Sequence, residues 1–357
     1  MKTIFKLAVL AAGAAMTLSA CGKLAGGENA PEREGYETLT INVGGISADI
    51  STRGAVTAAN GSDKTVANVQ IFIFDSSGNT IDYRNNNTGT TYSRSLRAGE
   101  SYTVAALVNG PDAAAVKTAS ALEALALTLD AKGLSTTTPL AYAMYGKTGV
   151  ASLSSETKSV TVNVESLASR VRIAKITNNL PSAMGSLTVK SVFLCNVKSQ
   201  VKVGGNAVSA WYNDYGKLSD KGRDFTVYEC SSVSLASAAS TADSSFPHYF
   251  YTYPNDCTTP FKESLKGSSV SLSTTPQALW MTVCGTVTIN GTVKTCYWTV
   301  DVGSKVGGLA ANSTYDVSLV ISALGSDDPA VPTTSETAAV TVKVTGWQDG
   351  GTVTETF

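Results

Sequence analysis

The sequence predicts an all-β protein, two sandwiches of short antiparallel strands with one short helix in the first. Three observations carry this. Thr, Ser, Val, Gly and Ala dominate the 357 residues and tyrosines are frequent, which favours short strands and polar turns over long helices. Apolar residues recur in short stretches at the spacing of two that a half-buried strand requires. No segment repeats with a period of about 20–50 residues, so the chain is not a solenoid.

Taken in order, residues 1–20 read as a signal peptide. Lys2 and Lys6 flank the start of an apolar run from Ile4 to Leu18, and small residues precede Cys21; the run is too short for a convincing membrane span. Leu18-Ser19-Ala20-Cys21 has the lipobox pattern of a bacterial lipoprotein. The thiol of Cys21 is expected to be acylated, with palmitate as one chain, and the peptide cut before it. Acyl chains contribute about 0.8 kcal/mol per buried CH₂, so several of them anchor a protein stably. No later apolar run reaches the roughly 18 residues of a membrane helix, so the lipid is the expected attachment to the outer membrane.

Residues 22–36 are polar, rich in Gly and Glu, and read as a tether. Leu39, Ile41 and Val43 then alternate with Thr40, Asn42 and Gly44, the period of a half-buried strand. Gly44-Gly45 interrupts it, and Ile46, Ala48 and Ile50 continue on the other parity. A bulge at the glycines accounts for the switch. Ser51-Thr52-Arg53-Gly54 is an exposed polar link, and residues 54–65 read as loop.

Residues 66–74 (VANVQIFIF) form the clearest strand of the first half and end in the turn Asp75-Ser76-Ser77-Gly78-Asn79. Residues 101–108 form another. Pro111-Asp112 is expected to cap a helix reaching Leu129, with Leu122, Leu125 and Leu129 on one face and Glu123 turned away. Residues 159–164 alternate again, and a strand at 170–176 follows almost at once. The domain boundary is therefore expected near Glu165, giving a first domain over 54–165 and a second over 166–357. Strands of the second half are expected at 170–177, 187–196, 249–253, 278–289, 292–300, 314–321 and 339–344, with a last segment at 352–357. Residues 204–245 are irregular and hold Trp211, Tyr212 and Tyr215.

Cysteines beyond Cys21 are Cys195, Cys230, Cys257, Cys284 and Cys296. An odd set cannot all pair within one chain, and no CxxC occurs, which argues against a zinc site. Cys284 and Cys296 flank a hairpin whose turn is Asn290-Gly291. A two-residue turn sets Cys284 opposite Tyr297 and puts the two thiols on opposite faces; only a three-residue or bulged loop would bring them together. Buried free thiols are the default expectation.

The sequence offers little catalytic chemistry. Its single histidine, His248, lies among strand aromatics after Pro247, a structural setting. No HExxH, GxSxG or zinc-type ligand set occurs, and no cofactor or metal is expected. Gly146-Lys147-Thr148 resembles the end of a phosphate loop, but Ala141 stands where the first glycine is needed. Asp327-Asp328 reads as a solvated turn. Formal net charge is −1 with Lys and Arg scattered, so no nucleic-acid face is expected.

The strand motifs match a family in order along almost the whole mature chain. VANVQIFIFD at 66–75 followed by Gly78, LRAGESYTV at 96–104 with Asn109, YAMYG at 142–146 and VTVNVESLASRVRI at 160–173 lie in the first half and its exit. YFYTYPN at 249–255, NSTYDV at 312–317 and the segment from Val340 to Trp347 follow. Together they resemble the fimbrillin family, the shaft and accessory subunits of type V pili in Bacteroidetes.

The resemblance implies two transthyretin-like β-sandwich domains and a lipoprotein precursor. It implies that the N-terminal strand, here Leu39, Ile41, Val43, Ile46 and Ile50, is a propeptide removed by an arginine-specific surface protease. Arg53 sits at the corresponding place, so the cut would leave Gly54 as the new N-terminus; Arg33 in the tether is the rival site. Residues 21–53 are then a lipidated tether plus a removable strand. The implied partners are other fimbrial subunits, in a homo- or hetero-polymer. The last segment, with Val353 and Phe357 on one face and Glu355 between them, either donates a strand to a neighbour or packs on its own domain. The expected function is a structural subunit of a surface fimbria polymerised by strand exchange, and not an enzyme. Two rivals are a monomeric surface lipoprotein or tip adhesin that binds glycans through aromatics such as Trp211, and a hydrolase on a sandwich.

Overall fold

A computed structural model of the chain describes residues 35–45, 65–129, 135–136, 141–184, 186–206, 208–212, 233–235, 240–241, 249–260, 277–329, 331–334, 336–346 and 352–356. Its first half runs β1 (Tyr36–Gly44), β2 (Val69–Phe74), β3 (Thr80–Asn85), β4 (Thr91–Arg97) and β5 (Tyr102–Val108). The helix α1 (Ala119–Ala124) follows. After it come β6 (Ala126–Thr128), β7 (Ser135–Thr136), β8 (Met144–Val150), β9 (Ser159–Asn163) and β10 (Glu165–Ser166).

Eight of these strands, all but β6 and β7, make two facing sheets. One has the order β10-β8-β5-β2-β3, the other β4-β1-β9. Strand β2 is buried along its whole length because its side chains leave it alternately toward two cores. Val69, Ile71 and Ile73 join Val104, Ala106 and Val108 of β5 in the core between the two sheets. Phe72, Phe74, Ala105 and Leu107 face the other way, into a larger core shared with the second half. A continuous apolar run such as residues 69–74 is what burial on both faces demands.

The helix is shorter than the apolar spacing predicts. Its N-cap is Thr118, whose Oγ1 accepts a hydrogen bond from the Ala121 N–H at 3.1 Å, the cap chemistry that Ser and Thr supply. Asp112 instead closes a local turn, its Oδ1 accepting from the Ala114 N–H at 3.0 Å. Leu125 is already extended, and β6 pairs with Gln200–Lys202. Leu122, Leu127 and Leu129 all reach the core, but the last two do so from extended chain. The same leucines fit both periods, and the ladder to a distant strand decides.

The second half runs β11 (Ser169–Asn178), β12 (Leu187–Cys195), β13 (Val197–Lys198), β14 (Gln200–Lys202), β15 (Trp211–Tyr212), β16 (Val233–Leu235), β17 (Ser240–Thr241) and β18 (Tyr249–Thr252). Then come β19 (Trp280–Ile289), β20 (Thr292–Asp301), β21 (Ser313–Ile321), β22 (Ala338–Gly346) and β23 (Thr352–Thr356). One sheet has the order β23-β22-β21-β11-β18-β7, with β17 also on β11; the other is β16-β12-β19-β20. Val171, Val317 and Val342 from the first meet Leu194, Val283 and Trp298 from the second in one core. Arg172 of β11 and Asp316 of β21 form a two-pronged ion pair across the first sheet, at 2.7 and 2.6 Å. Among the described residues the fold is an all-β sandwich architecture with one α-helix, as the sequence predicts.

The β19–β20 hairpin turns on Asn290 (φ 50) and Gly291 (φ 77), left-handed conformations that Asn and Gly tolerate. Cys284 stands opposite Tyr297, and Gly285 opposite Cys296. Cys257 and Cys296 are free thiols; Cys230 lies outside the described residues.

Candidate functional site

Strand β1 is the middle strand of its sheet. It pairs antiparallel with β4, from Tyr36 opposite Arg97 to Asn42 opposite Thr91. On its other edge it pairs in parallel with β9, from Thr40 beside Ser159 to Gly44 beside Asn163. Among the described residues, β4 and β9 have no other ladder partner. They are two walls, and β1 fills the seat between them.

Period-two geometry divides β1 into two faces. Leu39 and Ile41 are fully buried and Val43 nearly so, all in the core between the sheets. Burying a large aliphatic side chain is worth roughly 1.5–3 kcal/mol, so these three supply about 5–9 kcal/mol before the entropy of ordering the strand is subtracted. The opposite face is polar. Thr40 Oγ1 and Ser93 Oγ share a hydrogen bond at 3.1 Å, Asn42 donates to Ser159 Oγ at 3.2 Å, and Thr91 donates to Asn42 Oδ1 at 3.3 Å. At the entrance, Lys158 beside β9 reaches Glu37 at 3.4 Å.

At the exit the fit is close. A Cβ on Gly44 would stand 2.5 Å from Asn163 Oδ1, and one on Gly45 would stand 2.3 Å from the Val164 carbonyl oxygen. Gly45 also has φ +81, a left-handed conformation suited to glycine. Both glycines let the backbone approach Val164, whose N–H donates to the Gly44 carbonyl at 3.1 Å.

Each wall is also fastened to the opposing sheet. On β4, Tyr92 donates to Asp82 Oδ2 of β3 at 2.7 Å, and Arg94 lies 3.5 Å from the same oxygen. Burial, followed by the hydrogen bond to Asp82, raises the Tyr92 phenol above its ordinary pKa. Tyr102 donates to the Arg97 carbonyl at 3.0 Å, and Asn86 to the Thr91 carbonyl at 3.0 Å. On β9, the Thr161 carbonyl accepts from Thr148 Oγ1 of β8 at 3.1 Å.

Leu39, Ile41 and Val43, expected as one face of a strand, are therefore together in one core. Ile46 and Ile50, the acylation site Cys21 and the cleavage residues Arg53 and Gly54 lie outside the described residues. Val353 stands opposite Val344 where β23 pairs with β22 at the edge of its own sheet; Phe357 lies outside the described residues, as do His248 and Tyr215. Trp211 is half-buried on β15, with the Lys198 ammonium 4.4 Å from its ring centre. Among the described residues, no three His, Cys, Asp or Glu side chains group as metal ligands, and no helix is long and apolar enough to cross a membrane.

Sequence reasoning missed the wall β4 and the entrance cation Lys158. Thr91–Arg97 (TYSRSLR) has only Tyr92 and Leu96 as apolar markers. The alternation is present but sparse, because only Leu96 is buried.

The family profile described as fimbrillin-A associated anchor proteins Mfa1 and Mfa2 matches residues 39–349. No curated protein matches the chain. Among solved structures, a candidate cell adhesion protein from Bacteroides eggerthii matches with a TM-score of 0.64 at 17% identity, over 90% of this chain and 98% of that one. A fimbrilin from Porphyromonas gingivalis matches at 0.60 and 13% identity, over 88% and 98%. A candidate cell adhesion protein from Parabacteroides distasonis matches at 0.56 and 12% identity, over 88% and 97%. At such identities the likeness speaks for the fold.

Proposed function

Because the chain belongs to the family of fimbrillin-A associated anchor proteins Mfa1 and Mfa2, a fimbrial and adhesion-related family, we propose that it is a surface-fimbria subunit that assembles by exchanging β1. Its partners are other fimbrial subunits. In this reading the precursor is exported as a lipoprotein through Cys21 and held at the outer membrane. An arginine-specific surface protease cuts between Arg53 and Gly54, and β1 then leaves its seat.

The observation that carries this reading is the position of β1 as the sole ladder partner of both β4 and β9 among the described residues. While the link through 46–64 is intact, β1 is held at high effective concentration and the seat stays filled. Once the link is cut, the strand can be lost. Its departure leaves two rows of unpaired backbone groups and an opened apolar core, the condition that favours addition of a strand from outside.

Treatment of the mature protein with an arginine-specific protease, followed by gel filtration, mass spectrometry and electron microscopy, tests the scheme. Release of the fragment ending at Arg53 and the appearance of oligomers with subunits added, absent from Arg53→Ala, support it. A chain cut at Arg53 that retains the fragment and stays monomeric under native conditions overturns it. The family's description as anchor proteins favours a second reading, that this chain is an anchor; an anchor would keep its lipid and remain uncut. Mass spectrometry of the surface-extracted protein separates the two: a mature N-terminus at Gly54 belongs to the first, an intact acylated Cys21 to the second.

A further inference from the structure

The seat specifies its occupant. Walking along β1, its inward positions read Glu37, Leu39, Ile41 and Val43, followed by Gly44-Gly45. Each position answers a feature of the walls. Lys158 receives the carboxylate at the entrance, with its side chain half exposed. Three successive inward positions are buried among Val, Ile, Leu, Ala and Met side chains. Beyond the third, Asn163 Oδ1 crowds a Cβ at the Gly44 position, and the Val164 carbonyl leaves no room for one at the Gly45 position. The direction is also fixed, parallel to β9 and antiparallel to β4.

This chain's own β23 does not meet the specification. Val353, Glu355 and Phe357 share a parity, and Thr352, Thr354 and Thr356 the other. Only one register fills two of the three buried positions with apolar side chains, Val353 at the Leu39 position and Phe357 at the Val43 position. That register puts the Glu355 carboxylate at the Ile41 position, which is fully buried. The polar residues of β4 on this face, Tyr92 and Arg94, are both engaged with Asp82, so a carboxylate there competes with Asp82 for the same donors. Shifting by two residues either way moves Glu355 into another buried position and leaves one apolar side chain in place. Strand β23 is moreover already paired with β22 over five positions, from Thr345 opposite Thr352 to Thr341 opposite Thr356.

We infer that the seat takes a strand from a different protein, an extended segment with three uncharged apolar side chains at alternate positions, an acidic residue two positions before the first and glycine after the last. Growth through β23 of another copy of this chain is disfavoured by Glu355. The inference rests on the strand-exchange reading and adds to it the chemistry of the partner.

The full chain, with a specific protease site replacing residues 51–54, is cut and freed of its N-terminal fragment. Fluorescent peptides are then titrated onto it: residues 36–45, the same peptide with Ile41→Glu, residues 352–357, and that peptide with Glu355→Ile. The parent 36–45 peptide is expected to bind, the Ile41→Glu peptide about 100-fold more weakly, and the 352–357 peptide at least as weakly, because an unpaired carboxylate is costly to bury. Glu355→Ile is expected to recover at least about tenfold. A 352–357 peptide that binds about as tightly as the parent overturns the inference and leaves strand exchange standing, as does a Glu355→Ile peptide that gains nothing. A parent peptide that fails to rebind overturns strand exchange and the inference with it.

Discussion

Ile41 sits fully buried at the centre of β1, with Leu39 and Val43 beside it on the same face. Truncating such a side chain loses its transfer free energy and leaves a cavity, so Ile41→Ala should destabilise the uncut protein by about 2–5 kcal/mol. Urea unfolding of the uncut chain measures it, and an effect below about 1 kcal/mol would mean that the strand contributes little. At Gly45, alanine meets both a left-handed backbone and the Val164 oxygen. Gly45→Ala should weaken β1 seating by about 1–3 kcal/mol, visible as faster release of the fragment after cleavage. The Arg172–Asp316 pair tests the second sandwich independently. It is mostly buried, with side chains 20% and 15% exposed. Asp316→Asn should cost about 1–3 kcal/mol of stability and leave fragment release unchanged.

Among the elements, β4 and β9 depend on β1 in a way that β2 and β5 do not. The latter pair with each other, and with β3 and β8 respectively. Hydrogen exchange of intact and fragment-free protein should therefore show β4 and β9 amides losing protection together while β2 and β5 keep theirs. Uniform loss across all four would show that the sandwich unfolds without β1 and that no empty seat persists. The inward face of β1 was legible in the sequence because Leu39, Ile41 and Val43 alternate without interruption. Its surroundings were less so. Parallel pairing with β9 joins segments more than a hundred residues apart, and nothing local encodes it. Strands β3 and β4 bury little and so carry few apolar residues. Leu122, Leu125 and Leu129 gave the opposite error, a helical spacing that the β6–β14 ladder overrode. The Asn290-Gly291 hairpin was fully legible, down to the facing of Cys284, because a two-residue turn fixes register by itself.

At the scale of the molecule, seven tyrosines share one electrostatic condition. Tyr83, Tyr92, Tyr102, Tyr145, Tyr253, Tyr297 and Tyr315 all have phenols raised above the ordinary 10.0, each chiefly by burial. The folded state thus holds protons that the unfolded chain gives up first. That stability is fully present below about pH 10 and is lost as pH rises toward the folded values. Fluorescence-monitored unfolding against pH should show a cooperative alkaline transition, with Tyr145→Phe and Tyr253→Phe moving its midpoint upward. A midpoint unmoved by both would place the alkaline instability elsewhere.

The short connection after β9 has a mechanical consequence. From the seat wall the chain passes through Val164 and β10 and enters β11 at Ser169, an inner strand of the seven-stranded sheet. Tension that the seat's occupant passes to β9 would reach β11 through this short connection. A strand pulled along its own length loads the hydrogen bonds of its ladders in shear, because those bonds run across it. A joint loaded along its strands resists drag better than an edge contact that peels one bond at a time.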